Sequence, residues 1–262
     1  MKIYNKLFIS SILVASVLLV GCEENAAPLA PKAAVATTQT SDNTPQAEQA
    51  PWVWPGTSKG AIALASDLTA NNYMVVYDGS GSMGDPSCDK NSQTSKHAEG
   101  KIALKSFINA IPDESNIGFY AFDNNGKGVR TQLNTGNKSK IVAEIDSVSP
   151  GDGTPLKSAV RTGYDALTLQ GQKQLGYGRY VLVIVTDGVA SSGESPTNIV
   201  NDIIDDTPVE IHTVGFCLGD KHTLNQPGRT FYASATSSEE VLKSLEDVLS
   251  ESSDVDDNDF SN

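Results

Sequence analysis

The stretch Met74 to Asp85, MVVYDGSGSMGD, runs an apolar segment into an acid, Asp78, and follows it at once with two hydroxyls, Ser80 and Ser82, spaced by glycines. Glycine at the intervening positions lets the backbone curl tightly, so that both hydroxyls can turn toward the point the carboxylate faces. A second acid, Asp187, closes the apolar run VLVIVT and is followed by Gly188. A third hydroxyl, Thr154, stands in the glycine-rich SPGDGTPLKS. Two carboxylates brought together without a cation repel, and one of them is driven toward protonation. A divalent ion removes that conflict. A donor set with few charges and several hydroxyl oxygens is hard in character, which suits Mg2+ with water in the rest of its octahedron, or Mn2+ or Ca2+ in its place.

Such a set works only if the fold gathers residues that lie more than 100 positions apart in the chain. Strand candidates are residues 73–78, 117–123, 129–133, 180–186, 209–216 and 230–234, and the segments between them carry apolar residues at helical spacing, as in Leu104, Ile108 and Ile111 or Ile199, Val200, Ile203 and Ile204. Ser195–Pro196 and the Ser237 to Glu240 spacing supply helix starts. The run VLVIV lacks polar alternation, the pattern of a central strand covered on both faces. Strand and helix in alternation predict an α/β fold: a doubly wound, mostly parallel six-stranded sheet with helices on both faces. The segment from 123 to 129 is too short for a crossover helix. Strands two and three therefore form a hairpin, leaving one antiparallel edge strand. In a doubly wound order the strands ending at Asp78 and Asp187 are neighbours at the switch point, where sites form.

Asp78-x-Ser80-x-Ser82, then Thr154 in Gly151-Asp152-Gly153-Thr154-Pro155, then Asp187 in Thr186-Asp187-Gly188, resemble in order and spacing the metal-ion-dependent adhesion site of von Willebrand factor type A domains. The resemblance covers most of residues 70–250. It implies a Rossmann-like fold, direct metal ligation by the two serines, and ligation by Thr154 and the aspartates directly or through water. It also implies an open coordination position that accepts an acidic side chain from a protein partner, hence a role in adhesion or scaffolding. One departure stands out: about ten residues, Asp85 to Thr94 and including Cys88, separate the first motif from its helix. Such an insert would shape or cover the site, or be pinned to the fifth strand through Cys217.

Plainer readings exist for each residue. Thr154 before Pro155 also reads as a helix N-cap, Asp187-Gly188 as a turn, and the Gly/Ser run as a loop. Asp85, Asp89, Asp123 and Asp152 read as loop acids near the site. No Gly-x-Ser-x-Gly elbow is centred on Ser80 or Ser82, and no phosphate-binding Gly-x-x-x-x-Gly-Lys loop occurs. His97, His212 and His222 have neither zinc spacing nor a triad order, and read as packed or solvated. A non-enzymatic binding module is the expectation. Its rivals are a metal-assisted hydrolase, for which no general base is evident, and a structural envelope protein whose metal only stabilises the fold.

The N-terminal sequence supplies a context. Residues 1–6 carry Lys2 and Lys6, residues 7–20 are an uncharged apolar run, and Gly21 follows: the pattern of a secretory signal in residues 1–21, too short to span a bilayer of about 30 Å. Leu19-Val20-Gly21-Cys22 resembles the lipobox of bacterial lipoproteins, which implies cleavage before Cys22 and lipidation of it. The protein is then expected to be exported and anchored to the cell membrane or outer membrane through that lipid. Removing the signal leaves 17 basic against 32 acidic side chains, a balance that argues against nucleic acid as a partner. Residues 22–56, rich in Ala, Pro and Thr, read as a flexible tether, residues 57–250 as one domain, and residues 251–262 as an acidic solvated tail. The PWVWP cluster at 51–55 is expected to pack on the domain edge. Cys88 and Cys217 are an even pair in an oxidising compartment. They form either a bridge, worth about 4–5 kcal/mol for so long a loop, or two separate buried thiols.

Overall fold

Val181 to Val185 are all buried, as a strand without polar alternation requires. The structure, a computed structural model, describes residues 54–57 and 60–250. The expected signal segment, Cys22, most of the tether and the acidic tail lie outside the described residues. In chain order the elements are β1 (Asn72–Asp78), α1 (Lys96–Ala110), β2 (Asn116–Asp123), β3 (Gly126–Asn134), α2 (Lys138–Ser147), α3 (Leu156–Lys173), β4 (Tyr180–Thr186), α4 (Thr197–Asp206), β5 (Glu210–Phe216), β6 (Phe231–Ala235) and α5 (Ser238–Ser250). The sheet order is β3-β2-β1-β4-β5-β6, and every pairing is parallel except the β2–β3 hairpin. This is the doubly wound arrangement expected from the sequence, with β1 and β4 adjacent and the order reversing between them.

Alternation along the strands builds one core on each face. Tyr73, Val75 and Tyr77 of β1 join Val181, Val183 and Val185 of β4 under α1, α2 and α5. Met74 and Val76, with Leu182 and Ile184, pack on the other side under α3 and α4. Each Val, Leu or Ile buried in this way contributes about 1.5–3 kcal/mol relative to exposure. Trp54 belongs to the second core: its ring meets Tyr180 edge to face at 4.6 Å and its indole N–H donates to Thr168 Oγ1. Packed structure thus reaches back to Trp54, ahead of position 57.

Of the six strands only β4 keeps its expected bounds: β1 and β2 begin one residue earlier and β5 one later, while β3 and β6 differ further. β3 starts at Gly126 rather than 129, because a two-residue turn at Asn124 and Asn125 closes the hairpin and Gly126, at φ +97°, pairs at once with Asp123. Polar residues beside a tight turn read as loop but are held by the ladder. β6 is displaced by one residue, to 231–235. At α5, the helix start its spacing predicted, Ser237 Oγ accepts from Glu240 N, while the Glu240 carboxylate reaches one residue past the N-cap and accepts from Thr236 N and Thr236 Oγ1. Among the described residues no helix is long and apolar enough to cross a membrane.

Candidate metal centre

The register of β1 on β4, with Tyr77 beside Val185, brings the carboxyl ends of the two strands side by side. Asp78 ends β1 fully buried, and Thr186, the last residue of β4, donates its hydroxyl to Asp78 Oδ2 at 2.5 Å. The other carboxylate oxygen of Asp78 accepts from Ser80 N at 2.8 Å, which curls the chain back over the strand end. A side chain at Gly79 is excluded, since its Cβ would lie 2.7 Å from Val148 Cγ1 and 2.9 Å from Phe122 O. From this curl a 3-10 turn, Gly81–Gly84, begins.

The five expected residues meet here. Ser80 Oγ and Ser82 Oγ are 3.1 Å apart, and Ser82 Oγ donates to Asp187 Oδ1 at 2.9 Å. A Cβ at Gly188 would lie 3.4 Å from Thr154 Oγ1, 3.5 Å from Ser82 Oγ and 3.8 Å from Asp78 Oδ2. Oxygens from three loops therefore surround one point, and glycine at 188 keeps it open. Thr154 is placed by the chain around it: Thr154 N donates to Ser191 Oγ at 2.9 Å and Ser191 N to Thr154 O at 3.0 Å. Its hydroxyl is not spent on capping α3. That role falls to Glu194, whose carboxylate accepts from Ser158 N and Ser158 Oγ, an acid favourably placed at a helix N-terminus.

The electrostatics are those of crowded acids. Burial pushes the Asp78 carboxyl up to about 6 from the usual 3.8; bonds from Ser80 and Thr186 pull it down, and the charge of Asp187 adds to the rise. A group so placed is held as carboxylate by a nearby cation. The cation the chain itself brings, the Lys96 ammonium at the start of α1, pairs with the other acid: it lies 2.5 Å from Asp187 Oδ2, with the Asp187 side chain wholly buried and that of Lys96 12% exposed. A donor set of two carboxylates and three hydroxyls fits a hard divalent ion. It does not fit a soft one. Among the described residues no group of three or more His, Cys, Asp and Glu side chains is arranged to hold a metal, so any metal here depends on the hydroxyls.

The remaining candidates sort clearly. Cys88 and Cys217 are bonded, with Cα atoms 5.8 Å apart across a separation of 129 residues, which pins the insert to the end of β5. Of the loop acids, Asp123 is buried and paired with Arg130 at 2.8 Å, Asp85 is exposed, and Asp89 accepts from Asn91 N within the insert. Asp152, at φ 60°, contributes its carbonyl, which accepts from Gly81 N at 3.1 Å. The three histidines are packed: His97 on Val148 O and Tyr77, His212 stacked on Phe231, and His222 against the carbonyl of Gly188 at 3.1 Å. Beside the site a cavity of about 300 Å3 opens between Phe122, Lys127, Asp152, Pro155 and Ser191. Reading the sequence missed Lys96, Ser191 and Glu194. The last two lie within seven residues of Asp187 and were open to inference as supports of its loop; a lysine at a helix start carries no such signal.

No curated protein is significantly similar to the chain in sequence. Solved structures are. The BatB protein of Bacteroides thetaiotaomicron superposes with a TM-score of 0.55 at 14% identity, covering 70% of this chain and 98% of that one. The pilus adhesin SpaC of Lactobacillus rhamnosus GG gives 0.54 at 16% identity, over 72% of this chain and 31% of SpaC. Manganese-loaded TRAP protein of Plasmodium vivax gives 0.50 at 18% identity, over 68% and 72%. At such identities the likeness is one of fold. The family model of the von Willebrand factor type A domain matches residues 72–251, which is the sheet, its helices and all three loops of the site. By that match, this chain belongs to the von Willebrand factor type A domain family.

Proposed function

We propose that the protein is a divalent-metal-dependent protein-binding module of the bacterial cell envelope, non-enzymatic, exported, and anchored through a lipid on Cys22. The observation that carries this reading is the convergence of five oxygen donors, Asp78, Ser80, Ser82, Thr154 and Asp187, on one open point at the sheet's switch point. Those residues would hold the ion, Mg2+ by donor type, with Mn2+ or Ca2+ as alternatives. Bound there, it would offer a coordination position to a carboxylate of the partner. The chain's own residues do the rest. Asp78 and Asp187 are fixed by Thr186 and Ser82, and Gly188 leaves the approach clear. Val189, 73% exposed at the rim, and the adjacent cavity give the partner's neighbouring groups a place to rest. The strongly acidic chain repels an acidic partner elsewhere, so the cation decides where contact is made. The fold shared with a pilus adhesin and a manganese-loaded protein supports this reading.

The test is a pull-down from an envelope extract of the source organism with Mg2+, with EDTA, and with Ser80→Ala or Asp187→Ala bait. A partner held only by the wild-type bait in Mg2+ is expected; equal retention in all four samples rules the metal bridge out. Turnover of generic ester, phosphate or peptide substrates by the purified protein would overturn the non-enzymatic assignment. Release of a Cys22→Ser variant from the membrane fraction tests the anchor.

A further inference from the structure

We infer that Lys96 is a resident cation of the site, which a divalent metal must displace, and that it weakens metal affinity. This rests on the metal-binding reading above. Both oxygens of Asp187 are already engaged, Oδ1 by the Ser82 hydroxyl and Oδ2 by the Lys96 ammonium at 2.5 Å. The carboxylate is withdrawn from solvent. In so dry a place a second positive charge on the same carboxylate meets strong repulsion, because little water is present to screen it. The ammonium must leave before the metal takes full hold of Asp187.

The insert explains how a lysine comes to be there. Asp85 to Thr94 loops out and closes on itself immediately before α1: Lys96 N donates to Asp85 O at 3.0 Å, Ser87 N to Thr94 O at 2.9 Å, and Pro86 bridges to Ser95. Ser95 Oγ then caps the helix through Ala98 N. The loop is held from outside by the Cys88–Cys217 bond. Lys96 is thus the first residue beyond a closed and clamped neck. Its stem starts from a fixed backbone, which lowers the entropy lost in keeping the ammonium on Asp187. The departure from the family's spacing and the extra cation are one feature.

The experiment is a titration of the full chain, and of Lys96→Met, Lys96→Gln and Lys96→Arg, with Mg2+ by calorimetry and with Mn2+ by the loss of its free-ion resonance signal. Folding of each is verified by its melting in EDTA. The two neutral variants are expected to bind either metal at least about tenfold more tightly than wild type, within the range of ordinary site-to-site coupling. Lys96→Arg, which keeps the charge, is expected to stay within a few-fold of wild type. Neutral variants that bind equally or more weakly would overturn the inference and leave the metal site standing, since Lys96 would then act as a scaffold for Asp187. If no variant and no wild-type protein binds either metal, the metal reading itself fails and the inference falls with it. Two neutral variants keep the test open should one of them not fold.

Discussion

The two ends of the central strands β1 and β4 bury polar groups in opposite ways. At the lower end Asn72 is fully buried, and its amide donates to Ala70 O and Arg179 O while its oxygen accepts from Asn116. Gln174, equally buried, donates to Leu68 O and Ala70 O and accepts from Gln170. At the upper end the buried groups are Asp78 and Asp187. An amide carries donors and acceptors together, so a few amides in a dry space can satisfy one another; ionised carboxylates only accept, and two of them cannot. The lower end is cement. The upper end is an unresolved charge balance that Lys96 answers in part, and the proposed metal ion would answer the rest.

This contrast can be broken at several points. The largest effect belongs to the clamp beside the upper end. Replacing Cys88 and Cys217 with serine is expected to lower stability by about 4–5 kcal/mol, read from the denaturant midpoint, because the bond closes a very long loop. An unchanged midpoint would mean that the bridge contributes nothing to holding the insert. Next, Mg2+ at about 100 times its dissociation constant should stabilise the wild type by about 2.7 kcal/mol and leave Asp187→Ala unmoved; equal thermal shifts in both would place the metal elsewhere. At the lower end, Asn72→Ala should cost about 1–3 kcal/mol by leaving buried partners unpaired, with the Mg2+ shift intact. Loss of that shift would show that the two ends are not independent. The smallest effect is one of pH. Burial raises the Glu210 carboxyl, yet hydrogen bonds and charge from His212 and Arg179 prevail and hold it at about 2, below the usual 4.5. A depressed carboxyl stabilises fully above the unfolded value and loses that contribution as pH falls. Wild type should therefore lose more stability between about pH 4.5 and 2 than Glu210→Gln does, by acid titration of the melting temperature.

Much of the upper end was legible because its signals are local. An acid at the close of an apolar strand is out of place in any core, and Asp78 and Asp187 show the same anomaly. Topology then makes them neighbours. Thr154 was ambiguous, since a threonine before proline also caps helices, and the ambiguity was resolved by Glu194, a residue 40 positions on whose carboxylate reaches back to α3. Lys96 was invisible for a different reason. Its role depends on how the insert closes, and closure is set by backbone bonds between Asp85 and Lys96 and between Ser87 and Thr94 that no side-chain pattern encodes. The start of β3 was missed in the same way, through a turn whose pairing overrides the weak strand propensity of Gly126 and Lys127.

The packing of Trp54 against Tyr180 has a mechanical meaning. Tyr180 opens β4, and the candidate site lies where β4 ends, so Trp54, the first described residue, packs at the end of the sheet opposite the site. A pull between these two ends would run along the strands, the direction in which parallel ladders such as those of β1 with β2 and β4 share a load rather than peel one rung at a time. Were a partner held at the far end, a domain loaded in that direction would resist tearing.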